Sequence, residues 1–425
     1  MAAASNVALG QETNGQRPPN VILLMSDDQG YGDVGYYGHP VLKTPNLDAM
    51  AAAGLRFDNF YTSSPVCSPT RGSCLTGRHP YRYDITGANS GDYEDPSRMP
   101  LRDGEITLAE LLKVAGYRTG HFGKWHLGDF DGPMRSSPAD NGFDTSFSTV
   151  RKVPTVDPAY YFLDGEPYTE PLKGDDSAIL MERALAFIEE AAEADQPFFA
   201  VIWFHAPHNP VLATEEYRAM YPDRSEAEQH FWGTITAMDA QVGRLRARLR
   251  SLEVAGNTML WFCSDNGPAQ GEGMVGTAGK LRAGKGSLYE GGVHVPAILE
   301  WPDYVAEPRV SQMRCSTLDY FPTVLEVLGI KLPDDRPYDG ISLLPMIIED
   351  VDQRARPIPF IHGEQVALIK GDFKLVGASG EASNGGGVEL YNLATDPGET
   401  MNLADKDKAV ASYMKGYLQA WLDTL

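Results

Sequence analysis

In VILLMSDD, residues 21–28, five apolar residues are followed directly by a serine and two aspartates. Two later segments repeat this arrangement. The apolar run at residues 198–204 leads into His205-Ala206-Pro207-His208, and the run at 258–263 leads into Ser264-Asp265-Asn266-Gly267. Each run has the length of a β-strand that is apolar on both faces, as in a sheet covered by helices on both sides. The three runs therefore predict buried strands of one sheet, each ending in polar side chains.

Helical periodicity separates these strands. Apolar residues recur at helical spacing in residues 45–53, 107–115, 176–192 and 226–252. Strand and helix in alternation predict an α/β fold, with a large, mostly parallel mixed sheet flanked by helices on both faces. Polar residues just past the carboxyl ends of such strands line one crevice. We therefore expect convergence of Asp27, Asp28, His208, Asp265 and Asn266.

The sequence changes character after about residue 353. Short strand-like runs at 365–369, 373–376 and 388–392 replace the long apolar ones, and a helical pattern covers about 406–425. These runs predict a small antiparallel sheet with a final helix. We divide the chain into an N-terminal leader remnant or tag (1–18), a main domain (19–352) and a C-terminal subdomain (353–425).

Composition excludes several classes of protein. The 425 residues include 36 lysines and arginines against 58 acidic residues, a formal charge of −22, which disfavours binding to nucleic acid or to an anionic membrane. No apolar run approaches the roughly 20 residues that a membrane-spanning helix needs. The four cysteines follow no zinc-ligand pattern and predict no particular disulfide.

Cys67-Ser68-Pro69-Thr70-Arg71 precedes a stretch with helical character. Ser68 suits an N-cap and Pro69 the first helical position, so Cys67 is expected to face a helix N-terminus. That position and the cation of Arg71 lower the pKa of a thiol. Taken alone, such a cysteine is more often a half-buried small apolar residue at a turn.

The polar strand ends suggest a metal site. Asp27, Asp28, Asp265 and Asn266 offer only oxygen ligands, which suit a hard cation: calcium is favoured and magnesium is possible. Either pair alone would more often be a turn or a helix cap, and two pairs at two strand ends favour the metal.

Cys-x-Pro-x-Arg at residues 67–71 is the core of the signature of the type I sulfatases, and the chain resembles this family over nearly its whole length. In these enzymes, which belong to the alkaline-phosphatase-like superfamily, the cysteine is oxidised to formylglycine after translation. The other matching segments, in the family's order, are NVILLMSDDQGYGD (20–33), GHFGKWHLG (120–128), FHAPHNP (204–210), SDNG (264–267), GKGSLYEGGVHVP (284–296) and LYNLATDPGETMN (390–402).

The resemblance implies a sulfuric ester hydrolase and assigns roles to residues. It places Lys124, Lys285 and His208 on the sulfate oxygens, with His205 as the competing match. His126 and Arg71 would hold the formylglycine hydrate, and residue 67 would join the four oxygen-bearing side chains around the metal. One hydroxyl of the hydrate would attack sulfur, His208 with Lys285 would protonate the leaving oxygen, and His126 would accept the proton whose loss expels sulfate.

The expected substrate is a small sulfated molecule, a terminal sulfated sugar for preference, because a chain of charge −22 repels a long polyanion. Arg98, Arg102, Arg151 and Lys152 lie in segments that match no family motif and are candidates to contact a second anionic group, although solvated surface positions are commoner. The family also implies a formylglycine-generating maturation enzyme as partner and a periplasmic or secreted location. The oligomeric state is not predicted.

Three alternatives remain open on the sequence. The first is a phosphodiesterase or phosphonate monoester hydrolase of the same superfamily, although only one metal site is evident. The second is a hydrolase that uses the unmodified Cys67 thiol, which leaves the Asp/Asn set without a purpose. The third is an inactive binding protein that has kept the fold, although no matched position is missing.

Overall fold

The computed structural model describes residues 17–89, 99–378 and 387–425. Most of the predicted leader (1–18) and the candidate residue Arg98 lie outside the described residues. The predicted α/β class is confirmed: a large mixed sheet flanked by helices is followed by a separate, small antiparallel sheet.

The main sheet contains eleven strands within the described residues. They are β1 Asn20–Ser26, β2 Leu55–Tyr61, β3 Arg118–Lys124, β4 Thr145–Thr149, β5 Tyr161–Leu163, β6 Glu166–Pro167, β7 Phe198–Trp203, β8 Thr258–Ser264, β9 His294–Glu300, β10 Arg309–Ser311 and β11 Cys315–Ser316. Their order is β10-β2-β9-β8-β1-β7-β3-β4-β5-β6, with β11 beside β2. The central strands β8, β1, β7, β3 and β4 are mutually parallel. Antiparallel pairs flank this centre on both sides.

Helices cover both faces of the sheet. In the described part of the chain they are α1 Pro45–Ala53, α2 Cys67–Thr76, α3 Leu108–Val114, α4 Asp176–Glu193, α5 Glu215–Arg218, α6 Glu226–Ser251, α7 Glu290–Val293, α8 Tyr320–Leu328, α9 Leu344–Glu349 and α10 Lys408–Leu422. Buried residues of α1, α4 and α6 share one apolar core with the sheet, and those of α2, α3, α8 and α9 share the other.

Alternation along β1 shows why the strand runs are apolar throughout. Ile22 and Leu24 belong to the core under α4 and α6, whereas Leu23 and Met25 belong to the core on the opposite face. All seven residues of β1 are buried. A strand with helices on both faces has no solvent side, so the predicted two-sided burial is confirmed.

The C-terminal sheet consists of β12 Ile358–His362, β13 Gln365–Lys370, β14 Phe373–Ala378 and β15 Glu389–Asn392, paired in that order and antiparallel. One face packs on Tyr61 and Val293 of the main domain, and the other packs on Met414 and Leu418 of α10. The predicted small sheet and final helix are therefore confirmed. The domain boundaries at 18 and 352 remain a prediction.

Strand β12 is absent from the sequence-based assignment because prolines interrupt it. Pro357 precedes the strand and Pro359 lies within it. Proline cannot donate a backbone hydrogen bond, so such a run is discounted as a strand. In the fold, β12 is an edge strand, where one missing donor is tolerated.

Within the described ranges, no helix has both the length and the apolar character needed to cross a bilayer.

Candidate active site

The polar side chains at the ends of β1 and β8 lie side by side, because these strands are parallel neighbours. Ser26 is paired with Ser264, the last residue of each strand. The backbone N–H of Asp265 donates to the carbonyl of Ser26 at 3.1 Å, and that of Asp28 donates to Oδ1 of Asp265 at 3.1 Å. Asp27 is tied in the same way to the segment after β7, since its N–H donates to the carbonyl of Ala206 at 2.9 Å. The register therefore brings three strand ends together.

Cys67 is the first residue of α2, and its side chain is 1% exposed. Its Sγ lies 3.6 Å from Oδ1 of Asp27 and 3.5 Å from Nζ of Lys285. The predicted cap was wrong: Val66 precedes the helix without a side-chain cap, and Oγ of Ser68 instead accepts from the N–H of Asn89 at 2.9 Å. Pro69 is compatible with the first turn of α2, because proline lacks a backbone N–H and the first N–H groups of a helix have no partner within it.

The predicted lowering of the Cys67 pKa was also wrong. Burial, followed by the negative charge of Asp265, raises the pKa of the thiol to about 12, although Lys124 and Lys285 oppose the rise. All ten residues of α2 are buried, so the cost of removing a thiolate from water exceeds the benefit of the helix terminus. An unmodified thiol with this pKa is a poor nucleophile at neutral pH, which argues against the thiol-hydrolase alternative.

Three buried or part-buried cations surround the three carboxylates. Nζ of Lys124 lies 2.6 Å from Asp27, and Nζ of Lys285 lies 2.5 Å from Asp28. The guanidinium of Arg71 contacts Asp265 at 2.7 Å. It also donates to the carbonyl of Lys124 at 3.0 Å, which links α2 to the end of β3. The structure thus brings Arg71, Lys124 and Lys285 to the same place as the predicted metal ligands.

The pKa values of Asp27 and Asp265 are shifted in opposite directions. Burial raises the pKa of Asp27, but Lys124, His208 and Arg71 outweigh that effect and hold the pKa well below its usual range. For Asp265, burial and then the charge of Asp27 raise the pKa to about 6, despite the contact with Arg71. The carboxylates therefore repel one another at neutral pH, and a divalent cation among them would relieve this repulsion.

The donor set fits a hard cation. Oδ1 of Asn266 is buried and has no hydrogen-bond partner among the described residues, while the Nδ2 group of Asn266 donates to Asp28 at 2.7 Å. A buried, unpaired carbonyl oxygen on a side chain that contacts Asp28 is the arrangement expected of a ligand. Ligand atoms of Asp27, Asp28, Cys67 and His208 also lie within 4.8 Å of one another. The four predicted oxygen-bearing ligands and Cys67 thus occupy one site.

The structure separates the two competing histidines. Nε2 of His208 lies 3.6 Å from Asp28, and its Nδ1 hydrogen-bonds to the carbonyl of Asn209 at 2.7 Å. Burial lowers the pKa of His208 to about 4, against the opposing charge of Asp27. His205 is fully buried, between Asp176 at 2.9 Å and Thr149 at 2.7 Å. His208 therefore faces the candidate site, and His205 belongs to a buried network beside it.

His126 follows Lys124 in a left-handed backbone conformation, with φ of 61°. Its Nε2 lies 2.5 Å from the carbonyl of Asn89, and its Nδ1 is buried without a hydrogen-bond partner among the described residues. Burial, together with the charges of Lys124 and Arg71, holds the pKa of His126 well below its usual range. Its ring is therefore neutral at pH 7. Nothing in the sequence points to Asn89, because its contacts with His126 and Ser68 are long-range.

Comparison with known proteins places this geometry in a family. The sulfatase family model matches residues 19–330. N-acetylgalactosamine-6-sulfatase of Sus scrofa is 35% identical over 390 residues, covering 85% of this chain and 72% of the relative. Arylsulfatase A of Bos taurus is 33% identical, covering 93% of this chain and 85% of the relative. The crystal structure of Ps i-CgsB in complex with k-i-k-neocarrahexaose superposes with a TM-score of 0.84 at 26% identity, covering 95% of this chain and 93% of the other.

Proposed function

The chain belongs to the sulfatase family and hydrolyses sulfate esters, and we propose that it does so with a formylglycine at position 67, one divalent cation and a sulfated carbohydrate as substrate. One observation carries the proposal. Cys67 starts a buried helix within 3.6 Å of the Asp27 carboxylate and 3.5 Å of the Lys285 ammonium group, inside a ring of oxygen ligands and cations.

Formylglycine at position 67 is supported by the Cys-x-Pro-x-Arg signature and by the inertness of the buried thiol. With its pKa raised to about 12, the thiol is protonated at neutral pH and is a poor nucleophile. The hydrated aldehyde would supply a hydroxyl nucleophile. Oxidation of Cys67 requires a formylglycine-generating enzyme in the host, which is the partner that this proposal implies.

A single cation, calcium for preference or magnesium, would be held by Asp27, Asp28, Asp265, Asn266 and residue 67. Bound there, it would polarise the nucleophile and an oxygen of the sulfate group. The oxygen-only side chains and the unpaired Oδ1 of Asn266 support a hard metal rather than zinc or copper.

The other residues have complementary tasks. Lys124, Lys285 and His208 would bind the oxygens of the sulfate group, while Arg71 and His126 hold the nucleophile. Burial lowers the pKa of Lys285, but the neighbouring acidic groups of Cys67, Asp28 and Asp27 raise it above its usual value, so this side chain stays cationic. Its charge would stabilise the negative charge that develops on the leaving oxygen.

Proton transfer falls to the two histidines. Nδ1 of His208 lies 2.7 Å from the carbonyl of Asn209, so Nδ1 carries the proton of the neutral ring and Nε2 is the position that titrates, on the side of Asp28. A bound sulfate ester adds negative charge nearby and favours protonation of Nε2, which would then donate to the leaving oxygen. His126, held neutral, would accept a proton from the nucleophile.

A carbohydrate substrate is supported by the relatives, of which the porcine enzyme is named for N-acetylgalactosamine 6-sulfate. One cavity is lined by a residue of the site, and a second is lined by the strand partner of Lys124. One of about 320 Å³ is lined by Asp28, Pro207 and Asn209, and another of about 410 Å³ begins at Thr149. Both have the size of ligand pockets. We propose exo action on a terminal sulfated sugar, in a periplasmic or secreted setting.

The test compares esters on one preparation of known formylglycine content. We expect a higher kcat/KM for 4-nitrophenyl sulfate than for the corresponding phosphate, and a higher value still for a terminal sulfated N-acetylhexosamine. Faster hydrolysis of the phosphate or of a phosphodiester would overturn the assignment to sulfate. Activity confined to aryl sulfates would reject the carbohydrate, and equal release from internal and terminal sugars would reject exo action.

A further inference from the structure

The cavity beside β4 brings two cationic side chains together near the candidate active site. Its lining includes Arg151 and Lys152, two adjacent cations in a protein of charge −22, together with Tyr160. By contrast, the cavity beside Asp28 has no lysine or arginine in its lining, which includes Glu226 and His230. The two cavities therefore differ in the charge that they can accept.

The cavity beside β4 begins at the strand end that supports the candidate active site. Thr149, the last residue of β4, is paired with Lys124, the last residue of β3. The backbone N–H of Trp125 donates to the carbonyl of Thr149 at 3.0 Å, and that of His126 donates to the carbonyl of Val150 at 3.1 Å. Arg151 and Lys152 follow directly. Two strand ends in register thus deliver Lys124 and His126 to the sulfate site and the two cations to the next cavity.

The hydrogen-bond donors of the Arg151 guanidinium are not all paired with groups of the described residues. Its contact with Asp129 is 3.4 Å long, whereas a strong bond between a guanidinium and a carboxylate measures about 2.7–2.9 Å. Its Nε is buried and has no hydrogen-bond partner among the described residues. Two oxygens of one carboxylate or sulfate group would satisfy Nε and a terminal nitrogen together, which is the two-point contact that a guanidinium is shaped to make.

Lys152 and Tyr160 also line the cavity. Lys152 is exposed and makes no ion pair with the described residues, so its charge is available to offset Asp129 and Asp131 in the same cavity. Tyr160 is 82% exposed and adopts a left-handed backbone conformation, with φ of 65°. Its ring offers an apolar surface with a polar edge, which suits the face of a sugar.

We propose that this cavity is a subsite for a second anionic group, a sulfate or a carboxylate, on the saccharide whose ester the active site hydrolyses. Arg151 binds the anion, Lys152 adds positive charge, and Tyr160 packs against the ring that carries it. The inference rests on the proposed carbohydrate substrate and narrows it to saccharides that carry at least two negative charges.

The experiment measures kcat/KM on three saccharides: a monosulfated N-acetylhexosamine, the same sugar with a second sulfate, and a sulfated N-acetylhexosamine linked to a uronic acid. For wild type we expect a preference for one or both dianionic compounds, and the compound preferred identifies the anion. For Arg151→Ala, the ratio of dianionic to monoanionic kcat/KM should fall about tenfold or more, since a charge-assisted contact is lost. Arg151→Lys keeps the charge without the fork and should give an intermediate ratio.

Lys173→Ala is the matched control. Lys173 is exposed and pairs with Asp157 at 3.2 Å outside the cavity, so its loss should leave the ratio unchanged. Equal losses on all three substrates in Arg151→Ala, or an unchanged ratio, would overturn the subsite.

Failure of the proposed function can be distinguished from failure of the subsite, because the subsite can also be tested by measuring binding without turnover. Calorimetry on the Cys67→Ala protein with the disulfated sugar should show weaker binding when Arg151→Ala is added. The difference in affinity between the Cys67→Ala protein and the double variant should shrink at high salt, as expected for a partly exposed charge. Absence of turnover on every sulfate ester would refute the proposed function, and unchanged binding would refute the subsite.

Discussion

Cys67 has an environment in which a thiol and its oxidised form behave differently. Its sulfur lies between the carboxylate of Asp27 and the ammonium group of Lys285, and it is buried with the whole of α2. Burial disfavours the thiolate, so the site suppresses thiol chemistry. A hydrated aldehyde needs no ionisation of sulfur and can serve both as a metal ligand and as a nucleophile. This environment supports the proposal that the residue functions after modification.

We expect active protein to carry formylglycine at position 67. Mass spectrometry of the tryptic peptide that contains residue 67 should show the aldehyde or its hydrate. Cys67→Ala should fold and lose turnover, whereas Cys74→Ala, which removes a buried thiol from the same helix, should remain active. A fully active preparation that contains only the unmodified thiol would contradict this expectation.

A second expectation concerns the cation. Elemental analysis should find about one calcium or magnesium per chain, and removal of the metal should lower the melting temperature because the carboxylates then repel one another. At a free-metal concentration of about 100 times Kd, the stabilisation lost is roughly 3 kcal/mol. Asn266→Ala should weaken metal binding while Asn141→Ala, another buried asparagine, should not. A metal-free enzyme with full activity would refute the site.

The roles of the two histidines can be separated by substitution. His205→Gln disrupts a fully buried network with Asp176 and Thr149 and should cost about 2–4 kcal/mol of unfolding free energy. His208→Gln should leave stability nearly unchanged and lower kcat/KM about 100-fold or more, as expected for loss of a proton donor. Urea unfolding and steady-state kinetics on both variants provide the test, and the reverse pattern would identify His205 as the residue of the site.

At the scale of elements, the strands were predictable because their signal is local. β1, β7 and β8 lie within one residue of the predicted apolar runs at both ends, and α4 and α6 lie within one residue of the predicted helical patterns. The parallel arrangement then follows from alternation of strand and helix, and it accounts for the meeting of Asp27 and Asp265.

The features that were wrongly predicted depend on distant contacts. Ser68 would be a good cap in isolation, but its hydroxyl is engaged by Asn89, 21 residues away in sequence. The Cys67 pKa depends on the depth of α2 in the fold, which no local pattern reports. The preference for His208 over His205 is not contradicted, but the reason that the structure gives for it, the contact of His205 with Asp176 at the start of α4, is also distant in sequence. The sequence pattern around each strand predicts which residues converge. Their protonation states and hydrogen-bond partners depend on packing between segments that are distant in sequence.

His79 lies between α2 and the turn at Pro80–Arg82, and its side chain contacts α10. We expect this contact to depend on pH. His79 is fully buried against Trp421, and burial lowers its pKa to about 4. In the unfolded chain its pKa is near 6.5, so between pH 6.5 and 4 the unfolded state binds the additional proton. Stability should therefore decrease as pH falls through this interval, by at most about 3 kcal/mol from this residue.

The His79→Asn variant tests this contribution. Asparagine keeps an acceptor for the N–H of Tyr81 but has no group that titrates in this range. We expect its unfolding free energy to depend less steeply on pH between 4 and 6.5 than that of wild type, with equal slopes above pH 7. Curves of identical slope throughout would show that His79 is not the titrating group.

At the scale of the whole molecule, the C-terminal subdomain is joined to the segment that carries Lys285. Lys374 of β14 is fully buried and contacts Glu290 of α7 at 2.9 Å and Glu399 at 3.1 Å. The N–H of Gly286, next to Lys285, donates to the carbonyl of Pro65, two residues before Cys67. Residues 285–290 are thus held on one side by the segment before Cys67 and on the other by the C-terminal sheet.

Removal of the Lys374 charge should therefore destabilise the whole protein. Lys374→Met leaves Glu290 and Glu399 buried without their cation, which costs about 3–5 kcal/mol for a broken buried ion pair. Lys370→Met, on the neighbouring strand β13, is the control because this lysine is only partly buried, lies 4.7 Å from the ring centre of Tyr417 and makes no ion pair with the described residues. Neutralising one carboxylate with Glu399→Gln should restore part of the stability lost in Lys374→Met, since the two sites are in contact. Urea denaturation of the single and double variants measures this coupling, and strictly additive losses would show that the buried triad does not hold the two sheets together.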